Sequence, residues 1–267
     1  MMSEIEVRNL HFSYTKGQEV LAGITLDLNL RPTAIIGQNG AGKTTFVKLL
    51  KGLLKPTEGD IFVKGYNTKE KSVAFLARYI GLVFQNPNDQ IFKSKLIDEV
   101  MFGPLNIGQD EKTAKRNSLE ALDLVGLRNR INENPYDLSL SDRKLVSIAS
   151  ILAMDTDIIV FDEPTIAQDY RGKEKIKDII RYLKDKGKLV ITIIHDMDFV
   201  AETFERVIVF NRGKVLLDGD TRFVYSYRDK LRTASLEQPY VMQLAQKLDI
   251  EKPLLTVDEF TRWLNDR

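Results

Sequence analysis

The sequence predicts an α/β protein built on a mainly parallel β-sheet flanked by helices. Short apolar runs of strand length recur along the chain, with helical patterns such as residues 172–185 between them. Residues 3–36 instead alternate apolar and polar side chains, as half-buried antiparallel strands do. Between residues 86 and 150 the strand patterns give way to helical ones, which indicates a helical subdomain inserted into the core.

The first elements follow from these patterns. The alternating positions are Ile5, Val7, Leu10 and Phe12, then Ile24, Leu26, Leu28 and Leu30. The segment "TAIIG" predicts a short buried strand that ends at Gly37. "KTTFVKLLKG" then predicts a helix that faces inward through Phe46, Leu49 and Leu50, with Gly52 as its C-terminal stop.

Later apolar runs predict the remaining strands, "YIGLVF" (79–84), "DIIVF" (157–161), "LVITII" (189–194) and "RVIVF" (206–210). The inserted helices are predicted in "KLIDEVMFG", "DEKTAKRNSLEALDLVG" and "DRKLVSIASILAM". From about residue 220 the chain reads as short helices. We therefore predict a domain over residues 1–219, with its helical subdomain at about 86–150, and a helical extension over 220–267.

Composition excludes several classes of protein. The 39 Lys and Arg residues balance 38 Asp and Glu, so the net charge of +1 predicts no nucleic-acid partner. The chain has no cysteine, which removes disulfides and thiolate metal sites. Its N-terminus predicts no signal peptide, and its apolar runs are too short to cross a bilayer. We expect a soluble chain.

A phosphate-binding loop lies between the predicted strand and helix. "GQNGAGKT" fits G-x-x-x-x-G-K-[ST] and comprises Gly37, Gln38, Asn39, Gly40, Ala41, Gly42, Lys43 and Thr44, with Thr45 next. The loop amides converge on phosphate oxygens at a helix N-terminus. Lys43 supplies positive charge to the β- and γ-phosphates, and the Thr44 hydroxyl can ligate Mg²⁺.

A pair of acids follows a later buried strand. "DIIVFDEP" carries Asp162 and Glu163 to the carboxyl edge of the sheet, where open α/β proteins bind ligands. Asp162 is suited to hold Mg²⁺ through water, and Glu163 is suited to polarise an attacking water. Together with the phosphate loop, the pair predicts hydrolysis of a nucleoside triphosphate.

These motifs resemble those of the ATP-binding cassette (ABC) ATPases over nearly the whole chain. The resemblance implies that Gln85 of "LVFQNP" reaches Mg²⁺ and the attacking water, and that His195 of "ITIIHD" contacts the γ-phosphate. It also implies that Tyr14 of "FSYTKG" stacks on adenine, and that Asp169 of "TIAQD" crosses to a partner subunit. The family implies ATP and Mg²⁺ as ligands. His11 has no such context and is expected to be structural.

The segment "VFQNPNDQIFKSKLIDEVMFGPLNIG" is similar to the ATPases of energy-coupling factor (ECF) importers, which take up vitamins or transition-metal ions. The tail, "LEQPYVMQLAQKL" followed by "LTVDEF", resembles theirs as well. In that group the C-terminal extension contributes to pairing of two ATPase subunits. The resemblance implies a transmembrane coupling subunit and a substrate-binding membrane subunit as partners, with this chain peripheral on the cytoplasmic face of the membrane.

The signature motif departs from the family pattern Leu-Ser-Gly-Gly-Gln/Glu. Leu138 and Ser139 match, whereas Leu140, Ser141 and Asp142 stand at the last three positions. In the family this helix tip binds the γ-phosphate of ATP on the partner chain. Leu140 adds a side chain where the backbone should approach, Asp142 offsets part of the helix dipole, and Arg143 is a possible compensating group.

Because each signature serves the other chain, the pattern favours a heterodimer with one complete and one degenerate site. A homodimer stays open as an alternative. So do two other functions, a non-hydrolysing regulatory ATP-binding subunit and a soluble ABC ATPase that acts outside transport. The transported substrate and the partner ATPase are not determined by the sequence.

Overall fold

The computed structural model describes residues 3–266. Its N-terminal sheet contains β1 (Ile5–Ser13), β2 (Glu19–Leu28), β4 (Glu58–Val63) and β5 (Tyr66–Asn67). The strands are antiparallel and lie in the order β2-β1-β4-β5. The predicted alternation is confirmed up to Leu28, because the apolar positions of both strands are buried. It is wrong at Leu30, which follows the end of β2 and is exposed.

The larger sheet contains β3 (Thr33–Ile36), β6 (Ile80–Val83), β7 (Ile158–Asp162), β8 (Leu189–Ile193), β9 (Arg206–Asn211) and β10 (Lys214–Asp220). Its order is β10-β9-β3-β8-β7-β6. All neighbours are parallel except the hairpin of β9 and β10. The mainly parallel sheet predicted from the sequence is therefore confirmed, and the carboxyl ends of β3, β6, β7 and β8 meet at one edge.

Helices α1 (Lys43–Leu50), α2 (Val73–Leu76), α6 (Tyr170–Asp185) and α7 (Met197–Thr203) connect these strands. Between β6 and β7 the chain forms α3 (Leu96–Asn106), α4 (Glu111–Leu124) and α5 (Leu140–Leu152), which pack on one another. After β10 come α8 (Thr221–Ser226), α9 (Arg228–Thr233), α10 (Tyr240–Lys247) and α11 (Val257–Asn265). None of the described helices is long and apolar enough to cross a bilayer.

Two hydrophobic clusters cover the two faces of the parallel sheet. One is shared with the antiparallel sheet and α1, and includes Ile35, Phe46 and Ile191. The other lies under α5 and α6 and extends to the C-terminal helices through Tyr225, which is completely buried. The strands are continuous apolar runs because both of their faces are covered.

Arg206 joins the two sheets. Its Nε and Nη2 atoms each donate to Asp218 at 2.7 Å, and its Nη1 atom donates to the Asp27 carbonyl oxygen at 2.7 Å. Arg206 is only 6% exposed. A planar guanidinium satisfies this set of acceptors, whereas an ammonium cannot reach all of them in the same plane.

We predict that Arg206→Lys lowers the free energy of unfolding by about 1–3 kcal/mol, because charge-assisted hydrogen bonds are lost from a buried site. The matched control is Arg181→Lys, since Arg181 pairs with Asp178 at 3.0 Å on an exposed helix surface. That substitution should change the free energy of unfolding by no more than about 0.5 kcal/mol. Denaturant unfolding measures the free energy of unfolding of both variants. Equal losses would contradict the conclusion that Arg206 joins the two sheets.

Candidate nucleotide-binding and catalytic site

The predicted phosphate loop follows β3 and runs into α1 at the carboxyl edge of the parallel sheet. It borders a cavity of about 340 Å³. The lining residues are Asn39, Gly40, Ala41, Gly42, Lys43, Thr44, Gln85, Glu163, Ile166, Ile193 and His195. Site residues that the sequence predicts in four separate segments therefore line one cavity, which lies at the N-terminus of α1.

Lys43 is held inside its own loop. Its Nζ atom donates to the carbonyl oxygens of Gly37 at 2.6 Å and Gln38 at 3.0 Å. Burial lowers the pKa of Lys43, and the negative charges of Glu163 and Asp162 oppose that shift. The ammonium group thus lies between the loop carbonyls and the acid pair, where it can meet the terminal phosphates of a nucleotide.

The loop is packed tightly on one side and open on the other. Gly42 has a φ of 100°, and a Cβ there would lie 2.5 Å from Leu21 Cδ2. Gly40 has a φ of 79°, but a Cβ there would meet nothing within 4 Å. Gly42 therefore fixes the loop against β2, whereas Gly40 leaves room on the side of the cavity.

Asp162 ends β7 and is 5% exposed. Within the described residues its Oδ1 atom is buried and has no hydrogen-bond partner. Burial raises the pKa of Asp162, the charge of Glu163 raises it further, and a hydrogen bond from Thr44 opposes the shift. An orphaned buried carboxylate oxygen beside a hydroxyl fits a Mg²⁺ site, since oxygen ligands are what Mg²⁺ prefers. Thr44, Asp162 and Gln85 are the residues that would hold it.

Glu163 and His195, which the sequence predicts to be catalytic, lie beside each other in the cavity. Glu163 is 6% exposed, and its Oε1 atom lies 3.0 Å from His195 Nε2. The Glu163 backbone has a φ of 50°, which is unusual for a residue with a side chain. Such backbone strain concentrates at functional sites. Here it turns the carboxylate from the strand end towards the cavity.

Gln85 follows β6, and hydrogen bonds to its backbone fix its position. The buried Lys144 of α5 donates to the carbonyl oxygens of Phe84 at 2.7 Å, Gln85 at 2.9 Å and Asp162 at 3.1 Å. Burial lowers the pKa of Lys144 to about 8, and the charges of Asp162 and Glu163 oppose the shift. Sequence reasoning missed Lys144, because it lies inside an amphipathic helix and its partners are distant in sequence.

Tyr14 lies beyond the end of β1 and does not line the cavity, but it is close to α1. Its hydroxyl is 3.2 Å from Thr45 Oγ1, and its ring packs edge-on against Phe12. The side chain is 57% exposed. Its predicted role in binding adenine stays a prediction.

The altered signature lies at the N-terminus of α5, and none of its residues lines the cavity. Ser139 is the N-cap and accepts a hydrogen bond from the Asp142 amide at 3.1 Å. Asp142 pairs with Arg130 at 2.9 Å, so its charge is partly balanced rather than free to oppose an anion. Arg143 donates to Asn88 and to the Leu138 carbonyl oxygen, so it is engaged within the chain. Leu140 is 44% exposed at the helix tip.

Asp169 caps α6 by accepting from the Gly172 amide at 2.8 Å, and does not line the cavity. The neighbouring Gln168 contacts Ser141, with 3.0 Å between Oε1 and Oγ. This contact joins the loop after Glu163 to the signature. The cavity residues Ile166 and Ile193 were not identified from the sequence, where they look like ordinary loop and strand residues.

The fold and the site define a P-loop ATPase of the cassette type. The ABC transporter family model matches residues 21–166, and the chain belongs to this family. It is 40% identical to a putative ABC transporter ATP-binding protein of Pyrococcus furiosus over 258 residues, which cover 97% of this chain and 98% of the relative. The predicted ATPase class and fold are thereby confirmed.

The ECF resemblance is also confirmed. The chain is 38% identical to the energy-coupling factor transporter ATP-binding protein EcfA of Methanocaldococcus jannaschii, over 92% of this chain and 89% of that protein. The structure of cbiO1 from Clostridium perfringens, part of the ABC transporter complex cbiONQ, superposes with a TM-score of 0.78 at 29% identity. That match covers 92% of this chain and 100% of cbiO1.

We predict that Gly42→Ala destabilises the nucleotide-free chain more than Gly40→Ala does. Both substitutions place a side chain at positive φ, but only the first also meets Leu21. The difference should be about 1–3 kcal/mol, the usual cost of overpacking. Thermal unfolding of the two variants without nucleotide measures it, and indistinguishable melting temperatures would contradict the packing of the loop against β2.

Proposed function

We propose that this chain is an ATP-hydrolysing subunit of an ECF-type importer, and that it acts as one half of an ATPase heterodimer. The observation that carries the proposal is the convergence of the phosphate loop, Gln85, Glu163 and His195 on one cavity. A transmembrane coupling subunit and a substrate-binding membrane subunit complete the importer. The chain then lies peripherally on the cytoplasmic face of the membrane, and the substrate is a vitamin or a transition-metal ion.

In this proposal each side chain of the site has a role. The loop amides and Lys43 bind the phosphates, and bound Mg²⁺ supplies the positive charge that offsets the developing negative charge. Glu163 accepts the proton of the attacking water, and Gln85 orients that water. His195 contacts the γ-phosphate and fixes the Glu163 carboxylate through the 3.0 Å contact. The half of the cavity opposite α1 is completed by a partner's signature.

Two features support a pair of chains. The N-terminus of α5 carries Ser139 and Leu140 at the surface, so this helix tip is available to a nucleotide bound elsewhere. Helix α10 exposes Tyr240 and Leu244, and its C-cap residue Leu248 is exposed four residues further on, which forms an apolar stripe. A second, non-identical ATPase would cover both surfaces. The degenerate signature would then make the partner's site the slower one.

We predict that Glu163→Gln lowers ATP turnover by at least about 100-fold, because the general base is lost. The amide is isosteric, so ATP affinity should change by less than about threefold, and the closed dimer should accumulate with ATP. Glu120→Gln, an exposed carboxylate on α4, is the control and should retain full turnover. Phosphate release and size-exclusion chromatography measure these quantities. Unchanged turnover in Glu163→Gln would show that another residue is the base.

The unequal sites can be tested in the assembled complex with Glu163→Gln in this chain. The remaining turnover then comes from the partner's site, which uses this chain's signature. Replacing Leu140 and Ser141 with Gly should raise that turnover by at least about twofold, the lower end of what a better-presented helix dipole supplies. Leu140→Ala with Ser141→Ala is the control and should give a smaller increase. No increase with Gly would remove the basis for a degenerate site.

A further inference from the structure

Lys144 carries a buried ammonium group that has no role in the proposed hydrolysis. It lies in the second turn of α5 and is 1% exposed. Burying a charge is unfavourable unless its hydrogen-bonding capacity is met. The three hydrogen bonds to the carbonyl oxygens of Phe84, Gln85 and Asp162 use all three donors of the ammonium group.

The three acceptors belong to two different strand ends. Phe84 and Gln85 follow β6, and Asp162 ends β7, so a single side chain joins both ends to α5. A second connection between α5 and the end of β6 runs through Gln90. Gln90 accepts from the Phe84 amide at 3.1 Å and donates to the Ser147 carbonyl oxygen of α5 at 2.9 Å. The backbone at Phe84 and Gln85 is therefore connected to α5 twice, directly by Lys144 and through Gln90.

We infer that Lys144 is a positioning residue that sets the spacing between Gln85 and Asp162 and so shapes the divalent-cation site. This inference rests on the proposed function, in which both residues contribute to that site. Lys144 does not itself contact substrate. It acts through the backbone of the two residues, as outer-shell partners of metal ligands do.

Its place on α5 gives the contact a second consequence. Ser139, the N-cap of this helix, lies five residues before Lys144 in the same rigid element. A movement of α5 against a partner's nucleotide is thereby transmitted to the spacing of this chain's own Gln85 and Asp162. Lys144 thus joins the helix that serves one nucleotide to the cation site that serves the other.

The test compares the affinity for a non-hydrolysable ATP analogue in excess Mg²⁺ and in EDTA, with a fluorescent nucleotide as the readout. Lys144→Met keeps the aliphatic stem and removes the three donors. We expect its affinity in Mg²⁺ to fall about tenfold, the usual lower effect of an outer-shell change. Its affinity in EDTA should stay within about twofold of the unmodified chain, because the phosphate loop is untouched.

Two further variants complete the comparison. Lys144→Gln retains an amide donor, so it should recover part of the Mg²⁺-dependent affinity, and it decides the matter where Lys144→Met does not fold. Lys51→Met is the matched control, because Lys51 donates to the Ile80 carbonyl oxygen at the opposite end of β6. It should leave the ratio of the two affinities unchanged.

The outcomes separate the inference from the proposed function. If the unmodified chain bound the analogue equally well in Mg²⁺ and EDTA, the assignment of the cation site itself would fail. If the unmodified chain depended on Mg²⁺ and folded Lys144→Met showed the same dependence, the positioning role would be overturned. Where Lys144→Met does not fold, the same dependence in Lys144→Gln would overturn it. The same result would follow from an equal loss in Lys51→Met.

Discussion

Two carboxylates and two ammonium groups meet, buried, at the carboxyl edge of the parallel sheet. Asp162, Glu163, Lys43 and Lys144 are 5%, 6%, 6% and 1% exposed. Their formal charges cancel, which is the condition under which ionised groups tolerate burial. Backbone carbonyl oxygens accept two hydrogen bonds from Lys43 and three from Lys144, so the cluster is held by the main chain as well as by charge.

The cluster depends on three distant parts of the chain. The loop before α1 supplies Lys43, the end of β7 supplies the acids, and α5 supplies Lys144. Because the strands are parallel, β3 and β7 present their carboxyl ends at the same edge, with β8 and its histidine between them. Of the helices between β6 and β7, α5 thus supplies one member of this cluster and also carries the signature at its N-terminus.

The sequence was sufficient for the parts of the site that are local. The phosphate loop and the acid pair are short motifs, and a strand followed by a loop fixes where their side chains emerge. Lys144 could not be found in this way, because its nearest acceptor in sequence is 18 residues away and the other two are 59 and 60 residues away. The pairing of Asp142 with Arg130 was missed for the same reason, since periodicity identifies helix faces but not their neighbours. Leu30 was misjudged because alternation continues in sequence past the residue where the strand ends.

The altered signature is a well-formed helix start whose polar groups are already engaged. Ser139 caps the helix, Asp142 pairs with Arg130, which also pairs with Glu133, and Ser141 contacts Gln168. The exposed Leu140 side chain lies at the helix tip, where an anion would approach the first-turn amides. In contrast, the cavity bordered by Lys43 retains its full set of polar groups. This difference within one chain is what supports the proposal of a heterodimer with two unequal sites.

We expect ATP bound at residues 37–44 to be cleaved only when a second chain completes the site. The direct measurement is the rate of phosphate release per chain as the purified protein is diluted, and as a second ATPase subunit of the same importer is added. We expect the rate per chain to fall on dilution and to rise to a plateau at one equivalent of the added subunit. A rate per chain that is independent of both would contradict it.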